Sequence, residues 1–442
     1  MAHGEADDPD ALSTFRQFFA LDGDVLVLSL SMFAFSLGFQ MTGRYMPRYV
    51  SVLGAGSVAI GLYGSFGNLI SAVYPYPGGA FSDRVGSRVA LTAFGLASTV
   101  GFLIWLFAGA FGVLALPGFA VGPFVVDPLS LPVGIFLGLL FAQAWKSFGL
   151  GATFAIVKQS VPPGRLATGF ASTETFRRTA FFLGPLFAAA VLAVFAFETG
   201  FRVVLAVAAV FAAVATVAQH VRYDASEDSL GKSFEGVATV VSDLREMPAA
   251  LRPLLVGDTL VRFANGMVYV FFVIVVVEFL GVGARLPFVG SLSPDAFFGV
   301  LLAVEMAVAL VTMVPVAKLA RRVGLKPVVG LGFAVYAAFP VLLINAPDSA
   351  LVLTLLFAFS GLRFAGLPAH KALIVGPAEE NAGGRVVGSY YLLRNAVTIP
   401  SAAVGGWLYA NDPETAFLVA TAVGLVGTGY FLVFGREFEA YD

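Results

Sequence analysis

Apolar residues run through this chain in long blocks, not in the alternation of a half-buried strand or the single stripe of a surface helix. A helix needs roughly 20 mostly apolar residues to cross the hydrocarbon core of a bilayer, and charged or Gly/Pro-rich breaks divide the sequence into blocks near that length. Twelve such blocks fall at 25–43, 57–77, 89–111, 132–157, 168–195, 201–219, 254–278, 296–316, 327–344, 350–373, 386–409 and 416–434. Six lie on each side of 222–252, the longest hydrophilic stretch. The pattern predicts an all-α membrane protein of 12 transmembrane helices in two six-helix bundles, 24–221 and 253–435, with tails at 1–23 and 436–442. Within the linker, Leu230, Phe234, Val237, Val241 and Leu244 recur at helical spacing, which predicts an amphipathic helix lying on the membrane surface. The apolar loop 112–131 reads as an outer loop or as a re-entrant or interfacial segment.

Composition agrees with the pattern and narrows the chemistry. Of 442 residues, 58% are hydrophobic and 12% are charged, against roughly 25% charge in a soluble domain. The net charge of -2 offers nothing to a nucleic acid, and the absence of cysteine excludes disulfides and thiolate metal sites. His3, His220 and His370 are spread too far along the chain to form a ligand motif, so neither a metal nor a cofactor is expected. Leu230-Gly231-Lys232-Ser233 mimics the end of a phosphate-binding loop, but Ser226 stands where that motif needs its first glycine. An ATP-driven pump and an enzyme are both disfavoured.

The few charges carry information by position. Lys and Arg remain on the cytosolic side of a membrane protein. They collect in one set of loops, from Arg84 and Arg88 through Lys158, Arg165 and the linker to Lys318, Arg321, Arg322 and Lys326. The other set holds only Arg44, Arg48, Arg202 and Arg285. Both termini are therefore placed in the cytosol of a multi-pass protein of the cell membrane. The acidic N-terminus has no basic stretch ahead of an apolar core, so it reads as a cytosolic lead-in and not as a signal peptide.

One loop is more specific. Gly79-Ala80-Phe81-Ser82-Asp83-Arg84-Val85-Gly86-Ser87-Arg88 joins the second and third blocks. It resembles the signature loop of the major facilitator superfamily, in which a glycine, an Asp-Arg pair, a second glycine and basic residues make a very short cytosolic turn. Ser87 departs from that pattern, where a basic residue is usual. The matching loop of the second half, Ala317-Lys318-Leu319-Ala320-Arg321-Arg322-Val323-Gly324-Leu325-Lys326, aligns Arg322, Gly324 and Lys326 with Arg84, Gly86 and Arg88. Arg321 replaces Asp83, so the second copy is degenerate. The resemblance implies two pseudo-symmetric bundles, a cytosolic gate at Gly79, Asp83, Arg84, Gly86 and Arg88, and a central cavity lined by spans one, four, seven and ten. Gly149-Leu150-Gly151-Ala152 and Gly184-Pro185 resemble further family motifs, although Trp145 stands where drug/proton antiporters carry an arginine.

A charge within hydrocarbon costs at least about 2.5 kcal/mol even on insertion scales, which makes each one a functional candidate. Asp258, Arg262, Asn265 and Tyr269 share one face of the seventh block, and the first two also fit an intrahelical pair. Lys146 continues the small-residue stripe Gly134, Gly138 and Ala142 of the fourth block. Glu305 and Arg363 lie at matching depths of the eighth and tenth, so they are expected to pair, either with Glu305 as the preferred proton or cation coupling site or as a purely structural ion pair. Arg177, Arg178 and Arg394 are placed nearer the cytosolic third. This set is more basic than acidic, which favours an anionic or zwitterionic solute. The expectation is a monomeric secondary transporter in the lipid bilayer, moving a small molecule by alternating access with a coupled proton or ion. A drug or metabolite efflux antiporter and a non-transporting sensor of the same fold are the alternatives.

Overall fold

The computed structural model describes residues 23–121, 124–126, 128–148, 166–223, 247–287, 290–375 and 383–437. The expected amphipathic helix of the linker lies outside the described residues, as do both extreme tails and the phosphate-loop mimic. What is described is an all-α, multi-pass membrane fold. Among these residues eight helices are long and apolar enough to cross a membrane, or ten if each of two bent pairs is one span.

The chain begins with α1 (Gly23–Thr42) and α2 (Met46–Val52), bent by 42° across a turn that sets Arg44 and Tyr45 at the elbow. A second bend of 44° separates α3 (Ser57–Val73) from α4 (Pro75–Val85). Both correct the reading of 25–43 and 57–77 as simple spans. Then follow α5 (Ser87–Leu106), α6 (Val133–Ala142), α7 (Leu166–Val194) and α8 (Phe197–Arg222). The loop before α6 is β structure and not a re-entrant helix. Strands β1 (Val113–Leu116) and β4 (Leu129–Pro132) pair antiparallel, as do β2 (Phe119–Val121) and β3 (Phe124–Val126). Apolar runs this short and rich in valine satisfy their backbone by pairing with each other, a solution that periodicity alone does not separate from a helix.

In the second half, α9 (Arg252–Val268) is extended by 3-10, α and π turns to Phe279, and a hairpin of β5 (Ala284–Leu286) and β6 (Gly290–Leu292) leads on. The helices α10 (Pro294–Val323), α11 (Leu325–Ile344), α12 (Ala350–Gly361), α13 (Leu367–Val375), α14 (Gly383–Thr398), α15 (Ser401–Asn411) and α16 (Pro413–Phe434) complete the chain. A 3-10 turn at Leu362–Phe364 joins α12 to α13. Pro400, which has no N–H to donate, stands at the break between α14 and α15. Ser293, Ser349 and Asp412 cap α10, α12 and α16 by accepting from the N–H three residues on, at 3.3, 3.5 and 2.8 Å.

Packing within the first half sets α1 against α7 and α8, and α5 against α6 and α8. In the second half α9 and α11 pack on α16, and α10 packs on α12. Among the described residues the most extensive crossings between the halves are α3 with α15, and α7 with α10. Both rest on glycine. A Cβ on Gly61 would stand 2.4 Å from the Ala402 carbonyl and 2.9 Å from Gly406 Cα, and one on Gly299 would stand 2.7 Å from the Pro185 carbonyl. Small residues let backbones approach where lipid supplies no hydrophobic drive. A large buried cluster runs through this region from Phe35, Tyr45 and Phe201 to Phe298 and Phe417.

The two short interhelical loops share one geometry. Helix α4 passes into α5 through the single residue Gly86 (φ 85°, ψ 154°), and α10 passes into α11 through Gly324 (φ 92°, ψ 166°). Only glycine reaches this region without strain, which explains why both copies keep it. At the second turn the Glu437 carboxylate accepts from the N–H groups of Leu325 and Lys326 at 2.8 and 2.9 Å.

Candidate functional site

Helix α9 organises the site. From its buried side Asp258 reaches toward α13 and α14, while Arg262, Asn265 and Tyr269 line a cavity of about 230 Å³. The wall is shared: Gly64 and Asn68 come from α3, and Arg394, Asn395, Thr398 and Ser401 from α14 and α15. Asn68 donates to the Thr398 carbonyl at 3.3 Å across this wall.

Asp258 is fully buried and heavily bonded. Its Oδ1 accepts from Arg262 Nε at 3.3 Å, and its Oδ2 accepts from Arg394 Nη1 at 3.1 Å and from the Tyr390 hydroxyl at 3.1 Å. His370 Nε2 lies 3.2 Å from the same Oδ2, within ion-pair distance though without the alignment of a hydrogen bond. So the expected intrahelical pair of Asp258 with Arg262 is present, and three other residues share the carboxylate. Arg262 also donates to the Tyr336 hydroxyl at 2.8 Å, and Tyr336 presents its ring to the Arg262 and Arg363 guanidinia at 4.7 and 5.0 Å. Arg394 is steadied by Asn395, which accepts from its Nε and Nη2.

A second network centres on Glu305 of α10. Arg363 Nη2 donates to its Oε1 at 2.6 Å, Ser360 donates to the same oxygen at 2.5 Å, and Arg44 Nη2 donates to Oε2 at 3.4 Å. Glu305 and Arg363 are almost wholly buried, with side-chain exposures of 2% and 1%. Arg363 Nη1 also donates to Asn265 at 3.4 Å, which ties this network to the cavity wall. Arg44 lies over the Tyr269 ring at 3.9 Å and brings the first half into the cluster. Two carboxylates thus face four guanidinia, Arg44, Arg262, Arg363 and Arg394.

Lys146 does not join this group. On a helix of 3.6 residues per turn, Trp145 and not Lys146 returns to the side of Gly134, so the buried stripe of Gly134, Gly138 and Ala142 is continued by the tryptophan. The neighbouring Trp145 takes the buried place, stacked on Phe35 at 4.3 Å. Lys146 is exposed and lies 5.7 Å from the Phe39 ring. Residues 149–152 of the glycine motif fall outside the described residues. Arg178 reaches across the halves to the Met313 sulfur at 3.3 Å.

Sequence reasoning omitted Arg44, His370, Tyr336, Tyr390 and Arg394 from the candidate site. Arg44 looked like a loop residue and is carried inward by the bend between α1 and α2. The others sit on separate spans, and nothing in their sequence spacing signals convergence. Among the described residues, no three of His, Cys, Asp and Glu converge to hold a metal ion.

At one end of the molecule a further set joins the halves. Arg48 donates to Glu278 and, at 3.4 Å, to Asp295; Ser51 donates to Glu278 at 2.8 Å; and the Tyr45 hydroxyl donates to the Asp295 carbonyl at 3.0 Å. At the opposite end lie the signature loop and its copy. There Asp83 and Arg84 occupy the last turn of α4, Gly79 lies within that helix, and Arg88 opens α5 beside Gly86. In the second half Arg322 ends α10 and Lys326 follows Gly324.

No family model matches the sequence. A curated protein of Methanocaldococcus jannaschii, described as an uncharacterised MFS-type transporter, is 21% identical over 416 residues, covering 94% of this chain and 95% of its own. Among solved structures, the nucleoside transporter NupG superposes with a TM-score of 0.72 at 12% identity, covering 93% of this chain and all of that one. A POT family transporter in complex with 5-aminolevulinic acid gives 0.70 at 14% identity, covering 95% of this chain and 99% of that one. A bacterial homologue of the iron transporter ferroportin, in an inward-facing state, gives 0.68 at 14%, covering 93% and 98%. The chain is a multi-pass membrane protein with the major facilitator fold.

Proposed function

We propose that this protein is a secondary active transporter of a small anionic or zwitterionic solute, working by alternating access with a coupled proton or ion. The observation that carries the reading is the cavity wall, to which both halves contribute and in which two guanidinia and three carboxamides converge. Groups of this kind recognise carboxylate or phosphate oxygens, and a site held between two halves is exposed to alternate sides when they rock. The likeness in fold to a nucleoside transporter, to a POT family transporter and to a homologue of the iron transporter ferroportin supports transport as the class and leaves the cargo to the residues.

In this reading 24–221 and 253–435 are the moving bundles of six spans each, both termini are cytosolic, and one copy in the cell membrane suffices. The Arg48, Glu278 and Asp295 bonds then join the halves on the outer side, and the turns at Gly86 and Gly324 lie on the cytosolic side. Glu305, held between Arg363 of its own half and Arg44 of the other, is the coupling candidate. Solute uptake by proteoliposomes under an imposed proton gradient tests this. Accumulation of an oxyanion solute is expected, with Glu305→Gln retaining solute binding and losing gradient-driven accumulation. Absence of flux for every solute class would sink the transport reading, and unchanged accumulation in Glu305→Gln would remove that residue from coupling.

A further inference from the structure

The cavity, the guanidinia, the carboxylate and the imidazole form layers. Arg262 and Arg394 border the cavity with side-chain exposures of 25% and 16%; Asp258 lies behind them at 0%, and His370 behind it at 6%. Every guanidinium that a solute can reach on this wall is therefore already shared with Asp258. A solute oxyanion competes with that carboxylate for the same N–H groups. If it wins, Asp258 is left as a buried charge without its strongest partners, a condition that costs several kcal/mol unless a proton or a cation replaces them.

Among the described residues one neighbour supplies that replacement. His370 Nε2 lies 3.2 Å from Asp258 Oδ2 and has no aligned hydrogen bond, so the neutral ring leaves a buried nitrogen unpaired. The ring that has gained a proton pairs with the carboxylate instead. The titratable and charged groups around it are few: Asp258 and Arg262 from α9, Tyr336 from α11, and Tyr390, Tyr391 and Arg394 from α14. The apolar cluster beside it draws Val316 and Ala320 from α10 and Phe431 from α16, and Phe333 of α11 stands 5.8 Å from the ring. Among the described groups here the imidazole offers a ring nitrogen that can take up a proton while facing the carboxylate.

We infer that Asp258 and His370 form a proton site linked to the solute through Arg262 and Arg394. A solute carrying a carboxylate or phosphate group takes the two guanidinia, and one proton from the aqueous side binds the Asp258–His370 pair, so anion and proton are loaded together. The inference rests on the cavity being the solute site. It adds a solute-linked proton at α9 and α13 to the coupling candidate Glu305.

Calorimetric titration of the full-length protein in nanodiscs, with succinate, glycerol 3-phosphate and glucose as probes, tests it. Two buffers of different ionisation enthalpy report the protons exchanged. At least one oxyanion is expected to bind with uptake of about one proton, its Kd changing by up to about tenfold per pH unit, while glucose does not bind. His370→Gln loses both the proton uptake and the pH dependence. Asp258→Asn, which keeps the shape and removes the charge, binds the oxyanion without proton uptake at any pH. Proton uptake persisting in both variants overturns the inference, as does binding of neither oxyanion by the wild type. Oxyanion flux without proton uptake refutes this inference alone, whereas binding with proton uptake but without flux refutes the transport reading alone.

Discussion

Arg363 is a guanidinium with almost no exposure, held by Glu305 at 2.6 Å and Asn265 at 3.4 Å. Removing its partner strands a buried charge, so Glu305→Gln is expected to cost about 3–5 kcal/mol, read as a fall in melting temperature in detergent. The double variant Glu305→Gln with Arg363→Gln is expected to recover most of that loss, since the two effects belong to one interaction and do not add. Matching depths along two apolar blocks are enough to suggest this pair on paper. The same method fails for His370 and Arg394, because the rotation of each helix about its axis decides which side chains meet. Lys146 shows the failure most clearly, since steps of four drift off a 3.6-residue helix and Trp145 takes the buried face in its place.

At the scale of elements, helix identity was legible because bilayer thickness imposes a length on apolar runs, whereas bends and hairpins were not. The two bent pairs and the strands β1 to β6 use the same apolar vocabulary as straight spans, and their shape comes from tertiary contacts and backbone pairing. The glycine turns are the exception, announced by their motif. Gly86→Ala and Gly324→Ala each force a side chain into a backbone region reserved for glycine, and a loss of about 1–3 kcal/mol is expected in unfolding measurements. The cap of α16 adds a pH effect. The Thr415 hydroxyl and N–H hold the exposed Asp412 carboxyl below its ordinary value. Its stabilisation is therefore present above the unfolded carboxyl's pKa and fades as pH falls through the folded one, and Asp412→Asn is expected to flatten that part of the melting profile.

For the molecule as a whole, the chain's lack of cysteine makes movement of the halves measurable. Ser65 Oγ accepts from the Ala403 N–H at 2.9 Å across the α3 and α15 crossing. Cysteines at these two positions are expected to cross-link readily in the resting protein and to lose that reactivity when a transported solute drives the opposite arrangement. Cross-linking that no solute alters would argue for a fixed assembly. The two loops suggested a repeat, but which helices meet was not readable, because the glycines that permit contact resemble those scattered through most of the apolar blocks.

The Gly299 contact has a mechanical consequence. It stands five residues from the start of α10, and the other end of that helix at Val323 lies about 36 Å away at 1.5 Å rise per residue. Were α10 to tilt about this contact, it would be a lever of unequal arms. A turn of about ten degrees there sweeps the long arm through roughly 6 Å and the short arm through roughly 1 Å. A modest tilt would thus open an aperture the width of a small metabolite at one mouth while hardly disturbing the other.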